Sequence, residues 1–172
     1  MEQYGFFVNT DICTGCKACM TSCFDRNNLE VPQKFRKVYE FGGGEWKADD
    51  AGAFTATAFT YYVSMTCGHC ENPACTKVCP VGATWKDEQT GIVRQDYDKC
   101  IGCRMCLAAC PYTGVRSFNW EEPKYPVDHA VGDADVPKHQ KHVVEKCTFC
   151  YQRLAREEVP ACMELCPARA RH

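Results

Sequence analysis

Sixteen cysteines fall into four groups of four, with none left over. The first group is Cys13, Cys16, Cys19 and Cys23, and the second is Cys67, Cys70, Cys75 and Cys79. The third is Cys100, Cys103, Cys106 and Cys110, and the fourth is Cys147, Cys150, Cys162 and Cys166. So much cysteine in a chain of 172 residues marks either a disulfide scaffold or a metal protein. The first and third groups both read C-x2-C-x2-C-x3-C, a spacing that suits cubane iron–sulfur clusters. Three thiolates in one tight loop reach three corners of a cubane. The fourth, one helical turn further on, can reach a neighbouring cluster instead. Proline directly after Cys79, Cys110 and Cys166 disfavours helical geometry at each cysteine, so a short helix should stop there.

The competing chemistries use the pattern less well. Disulfides need an oxidising compartment, and two-residue gaps make poor staples. Zinc takes four thiolates from pairs of C-x2-C but has no use for a third cysteine at the same short spacing. Four 4Fe–4S clusters use every cysteine. Twenty basic against 22 acidic residues give a formal charge of −2, so no basic excess points to nucleic acid. An oxidised cluster with four thiolates carries about −2, which would take the total to about −10. Burying that charge requires backbone N–H groups and nearby cations. Lys17 and Arg104, each directly after the second cysteine of a repeated run, are the cations expected to bind at the clusters; plain solubility is the alternative. The longest uncharged run, Ala51 to Gly68, is interrupted by Thr55, Thr57, Thr60, Ser64 and Thr66 and falls short of the roughly 20 apolar residues of a spanning helix. The opening MEQYGFFVNT lacks the basic-then-apolar order of a signal peptide. No direct membrane span is expected.

The chain repeats itself at an offset of 87 residues: Asp11-Ile-Cys-Thr-Gly-Cys-Lys17 answers Asp98-Lys-Cys-Ile-Gly-Cys-Arg104, and Cys79-Pro80 answers Cys166-Pro167. A duplication of this kind makes each unit one group of the first type with one of the second. Two pairings satisfy this, first with second and third with fourth, or second with third and first with fourth. Twenty residues separate Cys79 from Cys100, against 43 between Cys23 and Cys67 and 36 between Cys110 and Cys147. Short connections are the commoner ones, which favours the second pairing, although the repeat alone favours the first. The expected fold is α+β, a tandem of ferredoxin-like dicluster units with short helices, small β-hairpins and long loops. Residues 65–115 form one unit; 1–64 and 116–172 form a discontinuous second, with an inserted loop at 120–142. Cross-ligation then sets Cys13, Cys16, Cys19 and Cys166 on one cluster, and Cys147, Cys150, Cys162 and Cys23 on its neighbour. A third takes Cys67, Cys70, Cys75 and Cys110, and the fourth takes Cys100, Cys103, Cys106 and Cys79.

Between the groups, Thr55 to Met65 alternates, with Phe59, Tyr61, Val63 and Met65 on one face and Thr60, Tyr62 and Ser64 on the other, as in a half-buried strand. Gly91-Ile-Val-Arg94 suggests another short strand. Gly42-Gly43-Gly44 reads as a flexible turn, since no strand–helix context supports a phosphate cradle. Trp120 to His142 reads as a solvated loop, in which His129, His139 and His142 are loop histidines rather than ligands. His69, inside the second group, reads as a packing residue before a cluster-tuning one.

With these motifs in hand, the chain resembles the iron–sulfur subunits of the dimethyl sulfoxide reductase family of molybdopterin oxidoreductases. The likeness rests on Tyr4-Gly-Phe-Phe7, Cys13-Thr-Gly-Cys-Lys17, Tyr61-Tyr62, Cys70-Glu-Asn-Pro-Ala-Cys-Thr-Lys-Val-Cys-Pro80, Cys100-Ile-Gly-Cys-Arg104 and Ala109-Cys-Pro-Tyr112. It implies that the first group pairs with the fourth. It also implies an electron-transfer subunit without catalysis of its own. The first group would face a molybdenum or tungsten catalytic subunit, and the third a quinone-binding membrane anchor. The complex would be peripheral on the bacterial cytoplasmic membrane, on the periplasmic side before the cytoplasmic one. A free-standing polyferredoxin is the alternative reading. The cysteine pattern makes one direct prediction: analysis of the anaerobically purified chain gives about sixteen iron and sixteen acid-labile sulfide per chain. A colourless protein with stoichiometric zinc would contradict it.

Overall fold

The computed structural model describes residues 3–31, 33–125, 127–129 and 131–172. Its regular elements are short. Helix α1 (Ala18–Arg26) follows the first two cysteines and carries the next two, α2 (Ala74–Lys77) lies in the second group, and α3 (Met105–Ala108) lies in the third. The fourth group carries α4 (Tyr151–Leu154) and α5 (Ala161–Glu164). Only α1 exceeds four residues. The reason is local: Pro73 and Pro160 cap the starts of α2 and α5, and the proline after Cys79, Cys110 and Cys166 bars continuation.

The strands are β1 (Arg36–Gly43), β2 (Trp46–Ala48), β3 (Phe54–Ala56), β4 (Phe59–Thr66), β5 (Thr84–Lys86), β6 (Val93–Gln95), β7 (Arg116–Phe118) and β8 (Val144–Lys146). Among the described residues they form four separate antiparallel pairs, β1–β4, β2–β3, β5–β6 and β7–β8. Two of these pairs correspond. In β1–β4, Arg36 stands opposite Thr66, the residue before Cys67. In β7–β8, Arg116 stands opposite Lys146, the residue before Cys147. Each pair thus leaves one C-x2-C-x2-C-x3-C run and returns into the next cysteine group. Helix α1 packs on α5, and α2 packs on α3. The N-terminal segment closes against the C-terminal one: Phe7 N–H donates to the His172 carbonyl at 2.7 Å, and Val8 bridges Arg171.

Cysteine is the core. Of nineteen buried apolar side chains among the described residues, seven are cysteines: Cys19, Cys23, Cys67, Cys106, Cys147, Cys150 and Cys162. The main apolar cluster joins Leu29 and Phe35 to Cys23, Cys67 and Cys147. Too little hydrocarbon is gathered here for an ordinary hydrophobic core, so filled cysteine cages must supply much of the cohesion.

Several expectations need correction. The alternating stretch from Thr55 divides into β3 and β4 at Thr57–Ala58, and Ser64, not the aromatic set, is its buried residue. Phe59 and Tyr61 are exposed; Tyr61 stacks on Phe41 across the strand pair, and Phe59 stacks on Tyr61 along β4. Gly42 and Gly43 end β1 rather than forming a turn; Gly44, with φ 98°, joins β1 to β2, and the chain reverses further on, where Gly52 N–H donates to the Asp49 carbonyl at 3.0 Å. Strand β4 also runs through the boundary drawn at residue 64. The stretch 120–142 is irregular, and two of its residues, 126 and 130, lie outside the described set. His139 within it is buried rather than solvated: its Nδ1 lies 2.8 Å from Glu145 Oε1 and its Nε2 2.7 Å from the Asn27 carbonyl.

Burial works against the charge on His139, but the hydrogen bond and charge of Glu145, the Asn27 carbonyl and the charge of Glu30 outweigh it and raise its pKa. A raised folded pKa contributes stability that is fully present below the unfolded value, about 6.5, and is lost as pH rises through the folded value. Thermal unfolding of the iron-loaded chain should therefore show a Tm that falls as pH rises above about 6.5, and His139→Gln should flatten that slope. An unchanged slope in the variant would contradict the assignment.

Candidate metal centres

Each cage begins with a backbone loop that only certain residues allow. Gly15 and Gly102, in the repeated C-x-G-C stretches, have φ 66° and 70°, and Lys17 and Arg104 follow with φ 64° and 61°. A side chain at Gly15 would collide with the Tyr62 ring, and one at Gly102 with the His142 carbonyl. The left-handed residues curl each loop so that it wraps around its contents and starts a helix at once, α1 after Lys17 and α3 after Arg104.

One cavity is lined by Cys13, Cys16, Cys19 and Cys166, together with Lys17, Ser64 and Arg171. The other groupings appear in the electrostatics. Burial pushes the Cys23 thiol well above the usual range, and Cys147, Cys150 and Cys162 push it further, against Arg36. Burial and the charge of Cys147 hold Cys150 up at about 12. Burial raises Cys70, with Cys67, Cys75 and Cys110 adding to it. Burial also raises Cys106 despite Arg116, with Cys100, Cys75 and Cys79 as its thiol neighbours. The groups also meet one another: Cys147 feels the charge of Cys67, and Cys106 that of Cys75. All sixteen thiols are free. Among the described residues no three Cys, His, Asp or Glu side chains converge tightly enough for a single ion; the thiols line cages instead.

Backbone donors face several sulfurs. Ala170 N–H donates to Cys166 Sγ at 3.3 Å, and Phe149 N–H to Cys147 Sγ at 3.4 Å. At Cys79 burial opposes ionisation, but the N–H groups of Thr84, Val81, Ala83 and Gly82 outweigh it and lower the pKa. Asn27 Nδ2 lies 3.5 Å from Cys23 Sγ.

The buried cations are not the two singled out from the sequence. Lys17 and Arg104 are exposed, and the Arg104 guanidinium lies over the rings of Trp120 and Phe118 at 4.8 and 5.4 Å. Four buried basic side chains stand beside the thiols, Arg36, Arg116, Lys146 and Arg171, each no more than 6% exposed. None has a carboxylate partner among the described residues. Lys146 Nζ donates to the carbonyls of Val93 and Cys147, and feels the charges of Cys67, Cys147 and Cys75. Arg116 leaves both terminal nitrogens without a hydrogen-bond partner, Arg171 leaves Nε and Nη2, and Arg36 leaves Nε. Buried guanidinium donors without partners carry a large desolvation cost. Anionic clusters bound in the adjacent cages would supply the missing acceptors and the opposite charge, so the donor set fits 4Fe–4S groups. The need for such cations is visible in the charge arithmetic. Their positions are not, because nothing local marks β1 and β7 as strands that return to the cages. His69 packs edge-on to Phe149 and accepts from Val93 N–H through Nδ1; burial, with Lys146 and Arg116 nearby, holds it well below its usual pKa.

Comparison with known proteins agrees with this chemistry. Residues 12–83, 58–125 and 92–167 each match a family described as a 4Fe-4S dicluster domain. The chain is 44% identical over 168 residues to a chain of the anaerobic dimethyl sulfoxide reductase of Escherichia coli, covering 98% of this chain and 71% of that one. It is 38% identical to the iron-sulfur cluster-binding subunit of menaquinone reductase from Nitratidesulfovibrio vulgaris, over 94% of this chain and 64% of that one. Identity to a selenate reductase subunit of Mesobacillus selenatarsenatis is 34%, over 98% and 59% of the respective lengths.

Because burial holds Cys23, Cys147 and Cys150 protonated in the bare fold, thiolate ligation there must release protons. Reconstituting the apo chain with iron and sulfide should release protons and restore the native circular dichroism together. Full native structure before iron is added would contradict the coupling.

Proposed function

The chain belongs to the family of iron–sulfur electron-transfer subunits of dimethyl sulfoxide reductase type, and on that premise we propose that it carries four 4Fe–4S clusters in one row between a molybdopterin catalytic subunit and a quinone-linked membrane subunit. The observation that carries the reading is the order of the cysteine groupings. Cys13, Cys16, Cys19 and Cys166 line one cavity, and Arg36 faces thiols both of it and of the Cys23, Cys147, Cys150 and Cys162 set. Cys147 in turn faces Cys67, and Cys75 faces Cys106. Groups follow one another without a branch. Bound clusters would supply four one-electron redox centres.

The ligand assignment and the discontinuous domain organisation belong to the same proposal. The packing of α1 on α5 and of α2 on α3 supports it. So does the closure of the N-terminal segment against residues 170–172.

The protein's own part is positional. Seven cysteines are buried, whereas Cys16 and Cys103, equivalent in the two repeated runs, are exposed. Near Cys16 in the chain the surface shows Phe7 and Ile12; near Cys103 it shows Ile101, Met105 and Leu107. Apolar surface beside the two end cages suits subunit contacts that keep water out of a transfer path. The first group would face the catalytic chain and the third the quinone side. Among the described residues no helix is long and apolar enough to cross a membrane. The periplasmic face of the cytoplasmic membrane is the location proposed.

Affinity purification of the tagged chain from its native host, under anaerobic conditions, should bring down a large molybdopterin protein. Recovery of the iron-loaded chain alone would favour the free polyferredoxin. Cys23→Ser should damage the cluster held by Cys147, Cys150 and Cys162 and leave the Cys13 cage with all four ligands. Loss confined to the cluster of Cys13, Cys16 and Cys19 would overturn the cross-ligation.

A further inference from the structure

The two corresponding strand pairs are not electrically alike. Arg36 and Arg116 occupy the same place, opposite the residue before Cys67 and before Cys147. Two residues earlier on the returning strand, β4 has Ser64, whose register partner is Val38, and β8 has Val144, whose partner is Phe118. Both are buried, at 6% and 0% exposure. Ser64 is therefore a hydroxyl placed where the other unit keeps hydrocarbon.

What surrounds that hydroxyl is specific. Arg36 Nη1 donates to Ser64 Oγ at 3.2 Å, and Ser64 Oγ lies 3.4 Å from Cys19 Sγ. Either atom can donate while Cys19 is a thiol; as a cluster-ligating thiolate Cys19 has no proton to give, and the Ser64 hydroxyl is then the donor. Arg171 Nη1 donates to the Ser64 carbonyl at 3.5 Å. The two guanidiniums flank the Phe6 ring, 5.0 and 4.9 Å from its centroid. Two buried cations this close repel each other, and no carboxylate offsets them among the described residues. Burial works against the Arg36 charge, but Cys162, Cys147, Cys23 and Cys19 outweigh it. The site is polarised toward sulfur.

We propose that Arg36 and Ser64 form a hydrogen-bonded arm that raises the reduction potential of the cluster held by Cys13, Cys16, Cys19 and Cys166, and that the equivalent cluster of the third group lacks this arm. Ser64 acts on Cys19 Sγ directly, and Arg36 acts through Ser64 and by its charge on the neighbouring cage. Hydrogen bonds to ligand sulfur and nearby positive charge both favour the reduced, more negative cluster. The consequence is directional: of the two exposed end cages, only that of the first group has its electron affinity increased in this way. The inference rests on the ligand assignment proposed above.

Potentiometric titration of the iron-loaded chain, followed by electron paramagnetic resonance, tests it. A Cys19→Ser variant first identifies which signal belongs to the Cys19 cage. Ser64→Ala should lower the potential of that cluster alone, by up to a tenfold change in its reduction equilibrium, about 59 mV for one electron. Ser64→Thr, which keeps the hydroxyl, should restore the original potential. Arg36→Gln should lower the potentials of two clusters, and Arg36→Lys should recover most of the loss. Val144→Ala, the control in the other unit, should leave the Cys19-cage potential unchanged. An unmoved potential in Ser64→Ala, equal shifts of all four clusters, or loss of iron from that variant would each overturn the proposal. If instead Cys19→Ser and Cys166→Ser disturb different clusters, it is the ligand assignment that fails.

Discussion

The whole structure answers one electrostatic problem: sixteen thiolates and their clusters must leave bulk water in a chain whose formal charge is already −2. Charge of that size is tolerated inside only where donors and cations meet it. The fold supplies both. Left-handed loops and strand ends turn N–H groups toward Cys79, Cys147 and Cys166, and four basic side chains without carboxylate partners lie among the cages. Taken without anions, the interior would hold unpaired guanidiniums and mutually repelling arginines. With clusters in place, the same arrangement is balanced.

This explains why so little regular structure suffices. Apart from α1, β1 and β4, the described helices are single turns and the strands three residues long; they bury little hydrocarbon, and seven of the nineteen buried apolar side chains are cysteines. The elements serve mainly as struts between ligands. Strand pairs β1–β4 and β7–β8 each deliver an arginine to a cage as the chain returns to its next cysteine group. Duplication accounts for the shared plan, and local substitution, Ser64 against Val144 or Thr66 against Lys146, for the differences between halves.

Legibility in the sequence follows the range of the physics. Ligand spacing is a local property, so the cysteine groups, the glycines of C-x-G-C and the proline stops can be read from the chain directly, as can the fold class and the family. Burial of a particular charged residue depends on contacts far along the chain. Arg36 gives no sign in its neighbourhood that it will meet Cys19, Cys147 and Cys162, and Lys17 is the more conspicuous cation because it adjoins a ligand. His139 escapes a local reading for the same reason, since Glu145 and the Asn27 carbonyl become its partners only in the folded chain. The alternation in β4 correctly indicates a strand, yet the pattern alone cannot say which face is covered.

The central claim is that the cysteines close four cages in two interleaved pairs, the first group with the fourth and the second with the third. Anomalous diffraction at the iron edge from anaerobically grown crystals tests it most directly. The account predicts four compact iron peaks, with Cys23 among the ligands of the peak shared by Cys147, Cys150 and Cys162, and Cys166 at the peak of the first group. Fewer than four peaks, or Cys23 sharing a peak with Cys67 and Cys70, would contradict it.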